Sequence, residues 1–206
     1  MKPMNRRTFV RASARGGALL AAGSALFTVS RTGRGQGAQE RVVLALIGAG
    51  GRGSQLAGNF QQVAGVEFKY VCDAFLPRAE AGAKTLARNQ ARAPQAVQDM
   101  RQALDDSEVR GVVLATPEQW HGLGTVWACQ AGKDVYVEKN TSLRLHEGIA
   151  MIEAARKYQR VVQVGFQNRS APYALTARDY IRSGKLGTVV LVKVYNLLEG
   201  GAWAAR

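Results

Sequence analysis

The chain has 206 residues, of which 47% are hydrophobic and 21% are charged, and its formal net charge is +13. This length and composition are typical of a globular protein with one or two domains and argue against an intrinsically disordered chain. Its two cysteines, Cys72 and Cys129, lack CxxC or other metal-ligand spacing. We therefore predict two buried thiols rather than a disulfide scaffold, and no metal site.

The positive charge is concentrated at the amino terminus. Seven lysines and arginines precede residue 40, and the first carboxylate of the chain is Glu40. The remaining basic residues are scattered among acidic ones, whereas a nucleic-acid surface would cluster them with interleaved aromatic residues. We therefore predict no nucleic-acid partner.

Residues 1–39 follow the order of an export signal, with a basic segment, an apolar run over 18–29 and a polar, glycine-rich segment. The apolar run is too short for a stable membrane span, which needs ~20 apolar residues. Arg6 and Arg7, followed by Phe9, resemble a twin-arginine signal. We therefore predict export of the folded protein to the periplasm by the twin-arginine route. The alternative is a basic amphipathic helix of the mature protein, which the glycines in the segment disfavour.

Beyond residue 40, short apolar or β-branched runs alternate with segments of helical length. The predicted strands are 41–47, 66–72, 110–116, 134–139 and 161–166, and a minor strand and a short helix are predicted within 95–107. The predicted helices are 54–63, 78–90, 118–132 and 146–159. This alternation is typical of parallel βαβ units, so we predict an α/β fold with a doubly wound parallel sheet, a Rossmann domain, over about residues 41–166.

A glycine-rich motif follows the first predicted strand. Gly48, Gly50 and Gly53 form G-x-G-x-x-G, which at the head of a helix indicates dinucleotide binding, and the alternative is a turn that holds no ligand. Asp73 ends the second strand, 73 − 53 = 20 residues after the last glycine. A carboxylate there can accept hydrogen bonds from both ribose hydroxyls and repels a 2′-phosphate. We therefore predict NAD in preference to NADP, although Arg78 could instead pair with that phosphate.

Polar residues also follow the fourth and fifth predicted strands. Thr116, Pro117 and His121 would face the crevice at the carboxyl ends of the strands, where doubly wound sheets bind ligands. A structural role for His121 at the start of a helix is equally compatible with the sequence. Glu138 and Lys139 end the fifth strand. The Lys139 amine could exchange a proton with a substrate hydroxyl, and the alternative is a solvated Glu–Lys pair.

Together these segments resemble the family of glucose-fructose oxidoreductase, inositol dehydrogenase and rhizopine-catabolism proteins (Gfo/Idh/MocA), especially its exported bacterial members. The matching segments are IGAGGRG (47–53), CDAFLPR (72–78), TPEQWH (116–121), VYVEK (135–139) and VQVGFQNRS (162–170). The resemblance implies that Lys139 lies at the nicotinamide and the substrate, with Glu138 beside it. Asn140 stands where the family usually has proline.

The resemblance also implies cofactor contacts from Thr116, Pro117 and His121, and it identifies Arg169 as the arginine of the last segment. The implied reaction moves a hydride between nicotinamide and a sugar or polyol hydroxyl. Lys139 would act as the acid/base partner or would orient that hydroxyl. Two alternatives stay open, an NAD-dependent glycosidase of the same family and a nucleotide-binding segment without catalytic activity.

Three parts are expected along the chain. They are a twin-arginine-type signal peptide (1–39), an NAD-binding Rossmann domain (40–167) and the start of an incomplete α+β substrate domain (168–206), with a helix over 173–184 and a strand over 188–196. Members of the family continue into a large mixed sheet that supplies most of the substrate pocket. We therefore expect a longer protein that forms a homo-oligomer, and no turnover from these 206 residues alone.

Overall fold

The computed structural model describes residues 41–195, and the segment with the predicted export signal lies outside them. A six-stranded sheet has the order β3-β2-β1-β4-β5-β6, and all neighbouring strands are parallel. The strands are β1 (Val42–Ile47), β2 (Val66–Cys72), β3 (Gln95–Val97), β4 (Gly111–Leu114), β5 (Asp134–Glu138) and β6 (Val162–Gly165). This is the Rossmann order, so the predicted doubly wound α/β fold is confirmed.

The helices follow the predicted alternation with strands. They are α1 (Gly51–Gln61), α2 (Leu76–Leu86), α3 (Met100–Leu104), α4 (His121–Gln130), α5 (Leu145–Lys157) and α6 (Pro172–Arg182), with short 3₁₀ turns at Ala87–Asn89, Glu118–Trp120 and Gln167–Ser170. The first helix begins before residue 54, its predicted start, because Gly50 within the glycine motif is already the N-cap of α1. The motif and the helix are therefore one continuous element.

Helices cover both faces of the sheet. In β1 the side chains of Val43, Ala45 and Ile47 belong to one core, which α3, α4 and α5 complete. Leu44 and Leu46 belong to a second core, to which α1 and α2 contribute. Strands that are buried on both faces are apolar at nearly every position, which explains the uninterrupted apolar runs of the sequence.

The register aligns the carboxyl ends of the strands along one edge of the sheet. Ile47 lies opposite both Cys72 and Leu114, and Val137 lies opposite both Leu114 and Val164. The strand order reverses direction between β1 and β4, since β2 and β3 lie beyond β1 and β5 and β6 lie beyond β4. Doubly wound sheets bind ligands in the crevice outside such a switch point.

The segment after β6 differs from the prediction. The predicted strand over 188–196 is wrong for its described part, because residues 188–195 form no strand and find no neighbour to pair with among the described residues. Their apolar side chains are exposed, Val190 by 89%. The predicted helix is present as α6, but none of its residues is buried. Apolar content alone does not form a strand when a partner strand is missing.

Both cysteines are buried, as predicted. Burial raises the pKa of the Cys72 thiol to about 12, so this group stays protonated near neutral pH. Within residues 41–195, no helix is long and apolar enough to cross a bilayer. The same residues contain no group of three or more histidine, cysteine or carboxylate side chains that could hold a metal ion.

Candidate functional site

The glycine-rich turn joins β1 to α1 at the carboxyl edge of the sheet. Gly48 has a φ of 91°, a left-handed conformation that residues with a side chain rarely adopt. A Cβ atom on Gly48 would lie 2.7 Å from the backbone of Ala115, and one on Gly53 would lie 1.8 Å from the carbonyl oxygen of Gly48. These two glycines therefore let the turn pack directly against the end of β4 and let α1 pack against the turn.

Gly50 has a different environment. A Cβ atom there would meet no atom within 4 Å, so the position faces open space. Gly50 is also the N-cap of α1, and no side chain of the described residues caps this helix end. Free N–H groups and the helix dipole favour an anion at such a terminus. The open space and the uncapped terminus together fit the pyrophosphate of a dinucleotide.

Asp73 lies at the end of β2 beside this turn and is 8% exposed. Its Oδ2 accepts a hydrogen bond of 2.9 Å from the backbone N–H of Ala49, and its Oδ1 accepts one of 3.0 Å from Phe75. The half-exposed Arg78 approaches Oδ1 to 3.2 Å. Because Asp73 already neutralises this guanidinium, the arrangement fits a ribose diol better than a 2′-phosphate, in agreement with the predicted preference for NAD.

A cleft of about 590 Å³ opens along the carboxyl ends of β1 to β4. Gly48, Asp73, Arg78, Thr116 and Pro117, all predicted from the sequence, line it. Thr116 lines the cleft, and its buried hydroxyl has no hydrogen-bond partner among the described residues.

Further side chains line the same cleft and were missed from the sequence. They are Gln98, Asp99, Met100 and Arg101 after β3, and Trp120 and Trp127 after β4. Both aromatic residues belong to the segment that follows the T-P dipeptide at the end of a predicted strand. This position could have identified them from the sequence. The residues after β3 were harder to identify from the sequence, since a strand of three residues has a weak pattern.

The Asp73 carboxylate should contribute directly to cofactor affinity. We expect Asp73→Ala to weaken NAD binding by ~1–3 kcal/mol, through the loss of charge-assisted hydrogen bonds to the ribose hydroxyls. Calorimetric titration with NAD measures the change, and the melting temperature verifies the fold. Asp105→Ala, which removes an exposed carboxylate outside the cleft, is the control. An unchanged affinity of the Asp73 variant would exclude this residue from the site.

His121 is 1% exposed and is not among the residues that line the cleft. Its Nδ1 lies 2.5 Å from the carbonyl oxygen of Asn140, and its Nε2 lies 2.8 Å from that of Thr116. The ring thus connects the loop after β4 with the loop after β5. This position supports the structural alternative for His121, and its predicted direct contact with the cofactor stays a prediction.

Lys139 is exposed at the end of β5, next to a cis peptide bond between Lys139 and Asn140. It borders a small pocket of about 170 Å³, whose other walls are the end of β6 and the following 3₁₀ turn with Arg169. The structure therefore brings together Lys139, which the resemblance placed at the nicotinamide and the substrate, and Arg169, the arginine of the last matching segment.

Glu138 is not among the residues that line this pocket and is 4% exposed. Its Oε1 accepts hydrogen bonds from Arg52, of 2.9 Å from Nε and 2.7 Å from Nη2. Glu138 is absent from the lining of the large cleft, so its predicted contact with the cofactor stays a prediction. Arg52 was missed because it occupies a variable position of the glycine motif, where no pattern marks it.

Comparison with known proteins agrees with this geometry. The Gfo/Idh/MocA family model, described as "Oxidoreductase family, NAD-binding Rossmann fold", matches residues 42–166. The chain belongs to this family. The predicted family and its NAD cofactor are thereby confirmed, while the roles of the individual site residues stay predictions.

The similar Gfo/Idh/MocA proteins include inositol dehydrogenases. A scyllo-inositol 2-dehydrogenase (NAD(+)) of Bacillus subtilis is 29% identical over 163 residues, which are 79% of this chain and 46% of that protein. An inositol 2-dehydrogenase of Leifsonia xyli is 30% identical over 149 residues, which are 71% of this chain and 43% of that protein. The crystal structure of an NAD binding oxidoreductase from Klebsiella pneumoniae is 28% identical, with a TM-score of 0.62, and the match covers 71% of this chain and 40% of that one.

The chain thus spans less than half the length of these relatives. The matched region includes both the dinucleotide cleft and the end of β5 with Lys139.

Proposed function

We propose that the protein is an NAD-dependent dehydrogenase that moves a hydride between nicotinamide and a hydroxyl-bearing carbon of a polyol or sugar. The observation that carries this proposal is the arrangement of the carboxyl edge of the sheet. The glycine turn and Asp73 form a dinucleotide cleft at β1 and β2, and Lys139 lies farther along the same edge beside its own small pocket.

The lining of the small pocket supports a polyhydroxylated substrate. Gln167, Asn168 and Arg169 border the pocket together with Lys139, and their amide, guanidinium and amine groups can donate hydrogen bonds to hydroxyl oxygens. The names of two relatives state that they are inositol 2-dehydrogenases, which act on a cyclic polyol. We therefore propose a polyol or sugar as the substrate class.

In the proposed reaction, the cofactor and each residue of the site would have a separate role. Bound NAD supplies the hydride acceptor in the direction of alcohol oxidation. Asp73 holds the ribose and Gly50 leaves room for the pyrophosphate. Lys139 accepts the proton of the substrate hydroxyl at Nζ or orients this hydroxyl, which matches the chemistry that positioned amines supply to general acid–base catalysis. His121 holds the two loops between the cleft and the pocket in place.

An assay on the full-length protein tests this function. The protein is incubated with NAD and a panel of inositols, other polyols and sugars, and NADH is followed by absorbance. Release of the aryl group from aryl glycosides is followed in parallel. Net NADH formation supports the dehydrogenase. Aryl release without net NADH would identify the glycosidase instead, and a lack of both reactions would identify an NAD-binding protein without catalytic activity.

We also propose that residues 1–39 direct the folded protein to the periplasm by the twin-arginine route. The supporting observation is the Arg6–Arg7 pair, which precedes an apolar run shorter than a membrane span. A fusion of residues 1–39 to a fluorescent protein should appear in the periplasm. Replacing both arginines with lysine should abolish export, and continued export of that variant would contradict the proposal.

A second domain is proposed to begin within residues 168–206 and to take part in a homo-oligomer. The supporting observations are the lack of buried residues in α6 and the greater length of the relatives. Light scattering on the full-length protein measures the oligomeric state, and a monomer at micromolar concentration would contradict the assembly.

A further inference from the structure

We propose that Arg52 is a positioning residue for Lys139 and that it acts through the Glu138 carboxylate. This inference rests on the proposed function, in which Lys139 handles the substrate hydroxyl. Arg52 lies in the first turn of α1, within the glycine motif, whereas Glu138 is the last residue of β5 and Lys139 follows it. One ion pair would therefore fix the position of the catalytic lysine relative to the segment that holds the cofactor.

The guanidinium of Arg52 is held on two sides. Its Nε and Nη2 donate to Glu138 Oε1 at 2.9 and 2.7 Å, and its Nη1 donates to Gln55 Oε1 at 2.5 Å. The Arg52 side chain is 33% exposed, and the Glu138 side chain is 5% exposed. Because Gln55 lies one turn further along α1, the helix itself sets the direction of the guanidinium.

The Glu138 carboxylate bridges the guanidinium and the peptide of the next residue. Its Oε1 accepts from Arg52, and its Oε2 accepts a hydrogen bond of 3.2 Å from the backbone N–H of Lys139. A carboxylate buried to this extent requires a charged partner, since a lone buried charge is strongly unfavourable. The start of α1 and the Lys139 peptide therefore share one carboxylate, although Arg52 and Glu138 are 86 residues apart in the chain.

The neighbouring strand leaves room for this arrangement. A Cβ atom on Gly165, at the end of β6, would lie 2.7 Å from Glu138 Oε1 and 2.6 Å from the hydroxyl oxygen of Tyr136. Any side chain at this position would displace the carboxylate from Arg52. Glu138 is thus confined between α1 and β6. This confinement fixes the orientation in which its carboxylate contacts the Lys139 peptide.

The experiment compares four variants of the full-length protein with the wild type. They are Arg52→Ala, Arg52→Lys, the double variant Arg52→Ala/Glu138→Gln, and the control Arg92→Ala. Arg92 also pairs with a carboxylate, that of Glu108 at 2.8 Å, but it lies outside the cleft and the small pocket. Each variant is measured for kcat and KM with the polyol, for NAD affinity, for melting temperature and for hydrogen exchange of the Lys139 amide.

For Arg52→Ala we expect kcat to fall by ~10–100-fold, since small displacements of a catalytic group have effects of this order. NAD affinity should change by less than about threefold, because the guanidinium of Arg52 is bonded to Glu138 and Gln55 and Arg52→Ala leaves the backbone of the glycine motif in place. The Lys139 amide should exchange faster, and Arg52→Lys should recover part of kcat. The Arg92 control should resemble the wild type in all four measurements.

The double variant separates positioning from stability. It removes the unpaired buried charge, so its melting temperature should return towards that of the wild type while kcat stays low. If the double variant recovers kcat together with the melting temperature, the ion pair is merely structural and the proposal is overturned. Unchanged kcat and unchanged exchange of the Lys139 amide in Arg52→Ala would also overturn it. If Arg52→Ala does not fold, the same comparison is made with Arg52→Lys, which retains the charge but not the two N–H donors to Oε1.

The same experiment distinguishes failure of the proposed function from failure of the positioning role of Arg52. Wild-type protein without turnover would contradict the dehydrogenase, yet the exchange of the Lys139 amide would still report whether Arg52 holds this peptide. Faster exchange in Arg52→Ala then supports the positioning role alone, and unchanged exchange overturns it.

Discussion

Replacing Lys139 with alanine should lower the turnover of the full-length protein by ~10²–10⁴-fold, the usual contribution of a positioned acid–base group. NAD affinity should change little, because Lys139 lies outside the lining of the large cleft and borders the small pocket at the ends of β5 and β6. Steady-state kinetics with the best polyol of the panel and calorimetric titration with NAD measure the two quantities separately.

Lys84→Ala is the matched control for this prediction, since Lys84 is an exposed lysine in the last turn of α2. It should leave both quantities at the wild-type level. Added methylamine should restore part of the turnover of the Lys139 variant, because a free amine can occupy the space of the missing side chain. Equal losses of turnover and NAD affinity would instead assign Lys139 to cofactor binding or to structure.

Gly53→Ala should be the most disruptive single substitution in the glycine turn. Its Cβ would lie 1.8 Å from the carbonyl oxygen of Gly48, so α1 must move away from the turn to accommodate it. We expect a loss of roughly 3 kcal/mol or more in the free energy of unfolding, as for severe overpacking, and no measurable NAD binding. Urea denaturation and calorimetric titration measure these effects.

The same substitution at Gly50 should have the opposite pattern. Its Cβ meets no atom within 4 Å, so Gly50→Ala should keep the melting temperature but lose NAD affinity, because the methyl group takes the space proposed for the pyrophosphate. Gly58→Ala, also in open space but in the middle of α1, should bind NAD normally and be more stable by ~0.5–1 kcal/mol. Normal NAD binding by Gly50→Ala would place the pyrophosphate elsewhere.

Much of the fold was predictable because its signals are local. Apolar runs that are buried on both faces identify the strands of a parallel sheet, and the glycine motif followed by Asp73 identifies the dinucleotide crevice. The parallel register then brings Thr116 and the end of β5 to the same edge as the glycine turn. Those positions follow from topology, which the alternation of strands and helices already implies.

The contacts between distant residues were not predictable. Arg52 and Glu138 are 86 residues apart, and no periodicity connects a variable position of the glycine motif with the end of the fifth strand. The burial of His121 between two carbonyl oxygens depends on how the loops after β4 and β5 approach each other. The apolar residues 188–195 show the reverse case, since their local β pattern forms no strand where residues 41–195 offer it no partner.

The order of the strands also has a consequence for protein engineering. Gly48 and Gly53 pack against backbone atoms of the residues that directly follow the central strands β4 and β1, where added side-chain atoms have no room. Lys139 and Arg169 follow β5 and β6, the last two strands of the sheet, and their side chains are exposed. Libraries that randomise residues 166–170 should therefore yield many folded variants that retain NAD binding. Substrate preference could then be selected without redesigning the cofactor cleft.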